Sequence, residues 1–251
     1  MKRKIITVSL IFSFLSLCIS VSIFYLKLQE NTAADLALEE IREMKPEVPE
    51  LPDSPELSEQ TGGSQPLPLM NFTGVKKEIS GILAWLTIPD TIIDYPVVQG
   101  QDNNYYLFHD AKNKKNGNGA IFLDYRAHDD FSDFNTVIYG HHMKSGKQFQ
   151  NLLKFKDQTF WDTHPFAKLY TPAYTYRLEI IAVAVVRQDS TLYRYVFPSS
   201  AERIAHLEEI RSAAKFYRDI GVTEEERIVT LSTCSFEFKD ARTVVIARLG
   251  G

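Results

Sequence analysis

The 251-residue sequence predicts a mainly β fold: an eight-stranded closed β-barrel with helical insertions, preceded by one transmembrane helix and a stalk. Three observations carry this. Eight short apolar runs, bounded by turn residues, lie between residues 81 and 249. One well-capped helix interrupts them after Ser199. An uncharged 22-residue stretch and an acidic, proline-rich segment stand ahead of them. A chain with many strands and little helix buries its apolar faces by closing the sheet on itself, which also removes the edges.

The N-terminal part divides by composition. "MKRK" (1–4) precedes Ile5–Leu26, which has no charged residue and is long enough for a helix of about 20 residues to cross the hydrocarbon core. It is longer than the apolar region of a cleaved signal peptide and has no A-x-A-like exit, which points to an uncleaved anchor. Lys2, Arg3 and Lys4 before the span place residues 1–4 in the cytoplasm and the rest of the chain outside the cell membrane. Residues 27–69 read as a stalk. Residues 29–45 contain helix formers, and Pro46, Pro49, Pro52 and Pro55 then recur every third residue, which suits an extended polyproline spacer. Residues 30–59 carry ten acids and two bases, whereas 60–251 carry 22 of each. A neutral domain is not the footprint of a nucleic-acid binder. Residues 70–251 have the size of one domain that builds its core without disulfides.

In chain order, "GILAWLTI" and "IIDYPVV" are strands, and "DNNYYLFH" is a helical turn capped by Asp102. "GAIFLDY" and "NTVIYGH" are strands, and "GKQFQNLLKF" reads as a helix. "FAKLYT" and "YTYRLEIIAVAVV" form a hairpin around Pro172 and Ala173. The next helix is predicted over 199–221, with Ser199 and Glu202 as its capping box, Leu207, Ile210, Ala214 and Tyr217 on one face, and Gly221 as its C-terminal cap. "RIVTLSTC" and "ARTVVIARL" complete the strands.

The chain has two cysteines, and Cys18 lies in the apolar span. Cys234 is therefore the single cysteine of the exported part, where disulfides are permitted. Such a residue is either a reactive thiol, one end of an intermolecular bond, or an inert buried hydrophobe. Side chains alternate along a strand, so Ser232 and Cys234 share one face of the penultimate strand and Arg242 and Arg248 one face of the last. A centred hairpin sets Cys234 opposite Arg242. A guanidinium there favours the thiolate and donates to an oxyanion, although a solvated edge arginine fits the same position. Of six histidines, His141 and His142 end a strand, with Gly140 allowing a sharp turn. A strand end on a rigid scaffold suits an acid/base residue. Adjacent histidines point apart and no C-x-x-C occurs, so no metal is expected.

"TVIYGHHM", "TLSTC" and "DARTVVIARL", in this order, resemble the sortase signature, and "DNNYYLFHD" to "GAIFLDYR" together with the long helix before "RIVTLSTC" resemble class B sortases. The resemblance covers about residues 72–249. It implies a sortase barrel and a cysteine transpeptidase without cofactors, in which His141, Cys234 and Arg242 are catalytic and Asn103, Leu107 and Ser232 line the sorting-signal groove. The implied partners are surface proteins or pilins that carry a C-terminal sorting signal, cleaved after a Thr, and an amine from a cell-wall precursor or a pilin lysine. His142 doubles the histidine, and Ser235 stands where some relatives have an acid. A cysteine endopeptidase with water as acceptor and a non-catalytic surface-binding module are the alternatives.

Overall fold

The computed structural model describes residues 2–48 and 69–250. Pro49, Pro52 and Pro55, on which most of the polyproline reading rests, lie outside the described residues. Helix α1 runs over Lys2–Glu43 and is by length and composition able to cross a membrane. Its apolar side chains from Phe12 to Leu28 are exposed.

A second unit comprises Ile41–Gly251. Ile41, Met44 and Val48 pack with Met70, Phe72, Val75 and Ile79, the last two belonging to or flanking helix α2 (Val75–Glu78). Lys45 Nζ pairs with Asp94 at 2.9 Å, and Asp94 Oδ1 also accepts from Trp85 Nε1 at 2.7 Å.

The strands are β1 (Ile82–Thr87), β2 (Asp94–Gln99), β3 (Ile121–Leu123), β4 (Asn135–Tyr139), β5 (Phe166–Tyr170), β6 (Thr175–Arg187), β7 (Phe216–Tyr217), β8 (Ile228–Cys234) and β9 (Ala241–Gly250). Hydrogen bonding follows the order β5-β1-β2-β3-β4-β8-β9-β6, and β6 pairs again with β5. Eight strands thus close into the expected barrel. The pairs β2–β3 and β4–β8 are parallel and the remaining pairs antiparallel. Trp85, Leu86, Val97, Leu123, Ile138, Leu169, Ile180 and Val245 are buried. Strand β6 is long enough to serve three partners. Thr175–Glu179 pair with β5, Arg177–Arg187 with β9, and Ala182–Val183 with the two-residue β7.

Two predicted helices come out differently. Helix α4 spans Ser200–Ala213 and stops well before Gly221. Its start is as expected, with the Ser199 side chain accepting from Glu202 N. Its end is decided by the sheet: Lys215 N donates to Val183 O at 2.7 Å and Arg218 N to Ile181 O at 2.8 Å. Arg218 also bonds the carbonyls of Ile180 and Trp161 and stacks over the Trp161 ring. Tertiary partners override helix propensity here. Gly221 does take a positive φ (71°), but in the loop beyond β7.

The second departure is "GKQFQNLLKF", a 3-10 helix over Phe149–Lys156. Gln148 precedes it with φ 50° and ψ −136°, and its buried amide is spent on other loops, donating to Asn118 O and Gly119 O and accepting from His141 N. The segment "DQTFWDTHP" contains one short helix, α3 (Gln158–Thr163), capped by Asp157. The Asp102 cap is present, its Oδ1 accepting from Asn104 N and Tyr105 N ahead of the 3-10 turn Tyr105–Leu107.

Candidate active site

The β8–β9 hairpin runs in register from Ile228↔Arg248 to Cys234↔Arg242, so the nucleophile candidate and the arginine face each other as the spacing predicts. Parallel pairing of β4 with β8 sets Tyr139 beside Ser232, and the chain leaving β4 carries His141 to the same barrel end. The turn after β2 brings Asn103 and Leu107 to it. A cavity of about 1000 Å³ opens here, lined by Asn103, Leu107, His141, Ser232, Cys234 and Arg242 together. All six predicted residues share one groove. Its far wall is the connection after β6, with Gln188, Tyr193, Arg194 and Tyr195.

His141 Nε2 lies 2.9 Å from Leu107 O. A carbonyl only accepts, so Nε2 carries the proton and Nδ1 is the nitrogen free to exchange one. His142 Nδ1 lies 2.9 Å from Cys234 O, and its ring meets the exposed Phe236 edge-on at 4.9 Å. The paired histidines are thereby separated: His141 lines the groove, and His142 holds the backbone of the cysteine. Gly140 does not use the positive φ open to glycine. A Cβ there would lie 2.7 Å from the Phe149 ring, so close approach is what requires glycine. Gly119 has φ 61°, and its Cβ would sit 2.4 Å from Tyr106 O and 2.9 Å from His141 Cδ2, so it keeps the ring's berth clear.

Arg242 Nη2 donates to Gln188 Oε1 and Nη1 to Ala241 O, both at 3.0 Å. The Ser232 and Tyr193 hydroxyls lie 2.8 Å apart. Burial pushes the Tyr193 phenol up to about 12, against the hydrogen bond from Ser232 and the Arg242 charge, so it stays protonated.

A buried carboxylate behind the groove wall, and the lining residues Arg126, Tyr139 and Tyr195, are not singled out by the sequence. Asp124, 2% exposed, accepts from Arg126 Nε (2.9 Å) and Nη2 (2.8 Å), Asn103 Nδ2 (3.0 Å) and Tyr139 OH (3.1 Å). Burial alone would raise this carboxyl, but the hydrogen bonds from Arg126 and Asn103 outweigh it and hold it below the ordinary range. Arg126 also stacks on Tyr195, 4.0 Å from the ring centre. The signal is the Asp-x-Arg spacing in "DYR", which by itself does not distinguish a buried pair from an exposed one. Burial and its partners in β4 and the segment after β2 single it out.

Residues 86–250 match the sortase domain family. The chain is 38% identical over 170 residues to sortase B of Listeria monocytogenes, covering 67% of this chain and 69% of that protein. The Staphylococcus aureus sortase B–substrate complex aligns with a TM-score of 0.67 at 28% identity, over 71% of this chain and 83% of that one. A crystal structure of sortase B complexed with triglycine aligns with a TM-score of 0.66 at 28% identity, over 70% and 84%. Barrel and cysteine-bearing groove are those of a cysteine transpeptidase. The chain belongs to the sortase family, and within it to class B.

Proposed function

We propose that the chain cleaves a C-terminal sorting signal of exported proteins after a Thr and joins the new acyl end to an amine of the cell wall or to a pilin lysine. The observation that carries this reading is the meeting of Cys234, Arg242 and His141 on one groove of about 1000 Å³.

The Cys234 thiolate attacks the Thr carbonyl carbon, and the C–O π electrons move onto oxygen. Arg242 donates to that oxyanion. The tetrahedral adduct collapses with loss of the C–N bond, and the departing amine takes a proton from the His141 imidazolium at Nδ1. A thioacyl enzyme remains. A second amine then attacks it, gives its proton to His141, and releases the Cys234 sulfur, so the cycle closes with both protons accounted for. Asn103, Leu107 and Ser232 bind the signal. A sortase B–substrate complex and a triglycine complex among the structural neighbours support a peptide donor and an amine acceptor.

In this reading residues 1–4 are cytoplasmic, 5–26 span the cell membrane once, 27–69 form the stalk and 70–251 the extracellular catalytic domain; the single span is supported by the apolar length of α1. Anchoring raises the effective concentration of emerging substrates. The full chain in detergent micelles, given a peptide library and an amine, should yield a Cys234-linked acyl adduct and then an amide product. Cys234→Ala should do neither while keeping its fold, and cleavage by that variant would sink the proposal.

A further inference from the structure

We infer that Gln188, to which the transpeptidase mechanism assigns no part, is the positioning residue of Arg242, orienting its guanidinium without neutralising it; this rests on the catalytic reading of Arg242 above. Gln188 follows the last residue of β6 and is tied down twice. Its backbone N–H donates to Asp240 O at 3.0 Å, which extends the β6–β9 pairing by one bond past Arg187↔Ala241. Its side-chain Oε1 accepts from Arg242 Nη2 at 3.0 Å. With Nη1 on Ala241 O, the plane of the guanidinium is set by two bonds in two directions. A guanidinium has five N–H donors, so three stay available to a substrate oxygen.

The chemistry of the acceptor matters. A carboxylate at this place would hold the fork more tightly but would cancel its charge, which is what an oxyanion and a thiolate need. The carboxylate next in sequence is engaged elsewhere: Asp189 also lines the groove but is claimed by Arg187, whose Nε donates to Asp189 Oδ1 at 3.0 Å. Among the described residues Arg242 has no ion-pair partner and two neutral acceptors. Gln188 is exposed, so its replacement costs the fold little.

The test uses the full chain in micelles with Gln188→Ala and Gln188→Glu, each alone and with Arg242→Lys. Misorienting a donor should cost less than the roughly 10²–10³-fold of removing one, so Gln188→Ala should lower kcat about tenfold with KM within about twofold. Gln188→Glu keeps the acceptor and its reach but adds charge, and should lower kcat and the iodoacetamide alkylation rate of Cys234 at least as much. In the Arg242→Lys background, where no planar fork exists, neither change should matter further. Alkylation is readable even where turnover is lost. Wild-type kcat in Gln188→Ala, equal losses in both backgrounds, or a loss that follows a lowered melting temperature would each overturn the inference. A fully active Arg242→Lys overturns the catalytic reading of Arg242 itself and the inference with it. An impaired Arg242→Lys beside an unimpaired Gln188→Ala overturns the inference alone.

Discussion

The carbonyl of Cys234 accepts a hydrogen bond from His142 Nδ1 at 2.9 Å, across 92 residues of sequence. The bond ties the loop after β4 to the end of β8, while the neighbouring ring of His141 faces the groove.

The two histidines should therefore fail differently. His141→Ala should lose about 10²–10⁴-fold in kcat, the usual contribution of an acid/base group. His142→Ala removes one hydrogen bond, about 1 kcal/mol, and should lower kcat less than about tenfold. The substitution His142→Asn places an amide donor where Nδ1 was and should restore the rate. Steady-state kinetics of the three variants decide; a dead His142→Ala beside an active His141→Ala would exchange the roles.

Arg242→Lys should lose most turnover, about 10²-fold or more, because lysine keeps the charge but not the fork. Its internal control is Arg248, six residues further along β9, roughly 20 Å away at strand rise. Arg248 Nε lies 2.8 Å from Glu179 and Nη1 2.9 Å from Glu226, so its removal should cost about 1 kcal/mol of stability and leave kcat intact. Equal loss of kcat at both positions would mean that β9 as a whole had loosened.

Asp124 is the common acceptor of Arg126, Asn103 and Tyr139. Asp124→Ala leaves a guanidinium and two polar groups without their partner and should destabilise the fold by about 1–3 kcal/mol, less than a fully buried pair would cost because the Arg126 side chain stays 31% exposed. Asp124→Asn keeps the shape and should cost less, while raising KM for the peptide because Arg126 is no longer held against Tyr195. Denaturant unfolding and peptide KM test both statements; an unchanged KM in Asp124→Asn would free the groove wall from this network.

His206 on α4 is buried beside Phe197 and Phe134, and neither ring nitrogen has a hydrogen-bond partner. Burial holds it down to about 4, with the Glu209 charge opposing and Arg194 assisting. The unfolded chain titrates near about 6.5. Between those values the unfolded state binds a proton that the folded state refuses, so stability is full above about pH 6.5 and falls as pH drops toward about 4. From about pH 7 to about pH 5 this group should cost about 2 kcal/mol. His206→Leu should remove that slope. Urea unfolding of both proteins at the two pH values is the measurement, and equal losses would exclude His206 as the cause.

Much of this protein was legible in one dimension. Short apolar runs bounded by turn residues marked all eight barrel strands, because a strand buried on both faces, as β3, β4 and β8 are, reads as a near-continuous apolar run. Cys234 and Arg242 could be paired from spacing alone, since a short hairpin leaves few registers, and the observed register is the centred one. The Ser199 and Asp102 caps were local and were found. What tertiary structure decided is whatever depends on distant partners. Nothing near Ala213 in sequence ends α4; the free edge of β6, far upstream, does so by capturing Phe216–Tyr217. Gln148 is a helix former by propensity, but its buried amide serves Asn118, Gly119 and His141. The roles of the twin histidines, the Asp124 network and the hold of Gln188 on Arg242 follow from which carbonyl or guanidinium lies within hydrogen-bonding reach. Closing the barrel sets those distances, and no local propensity encodes them.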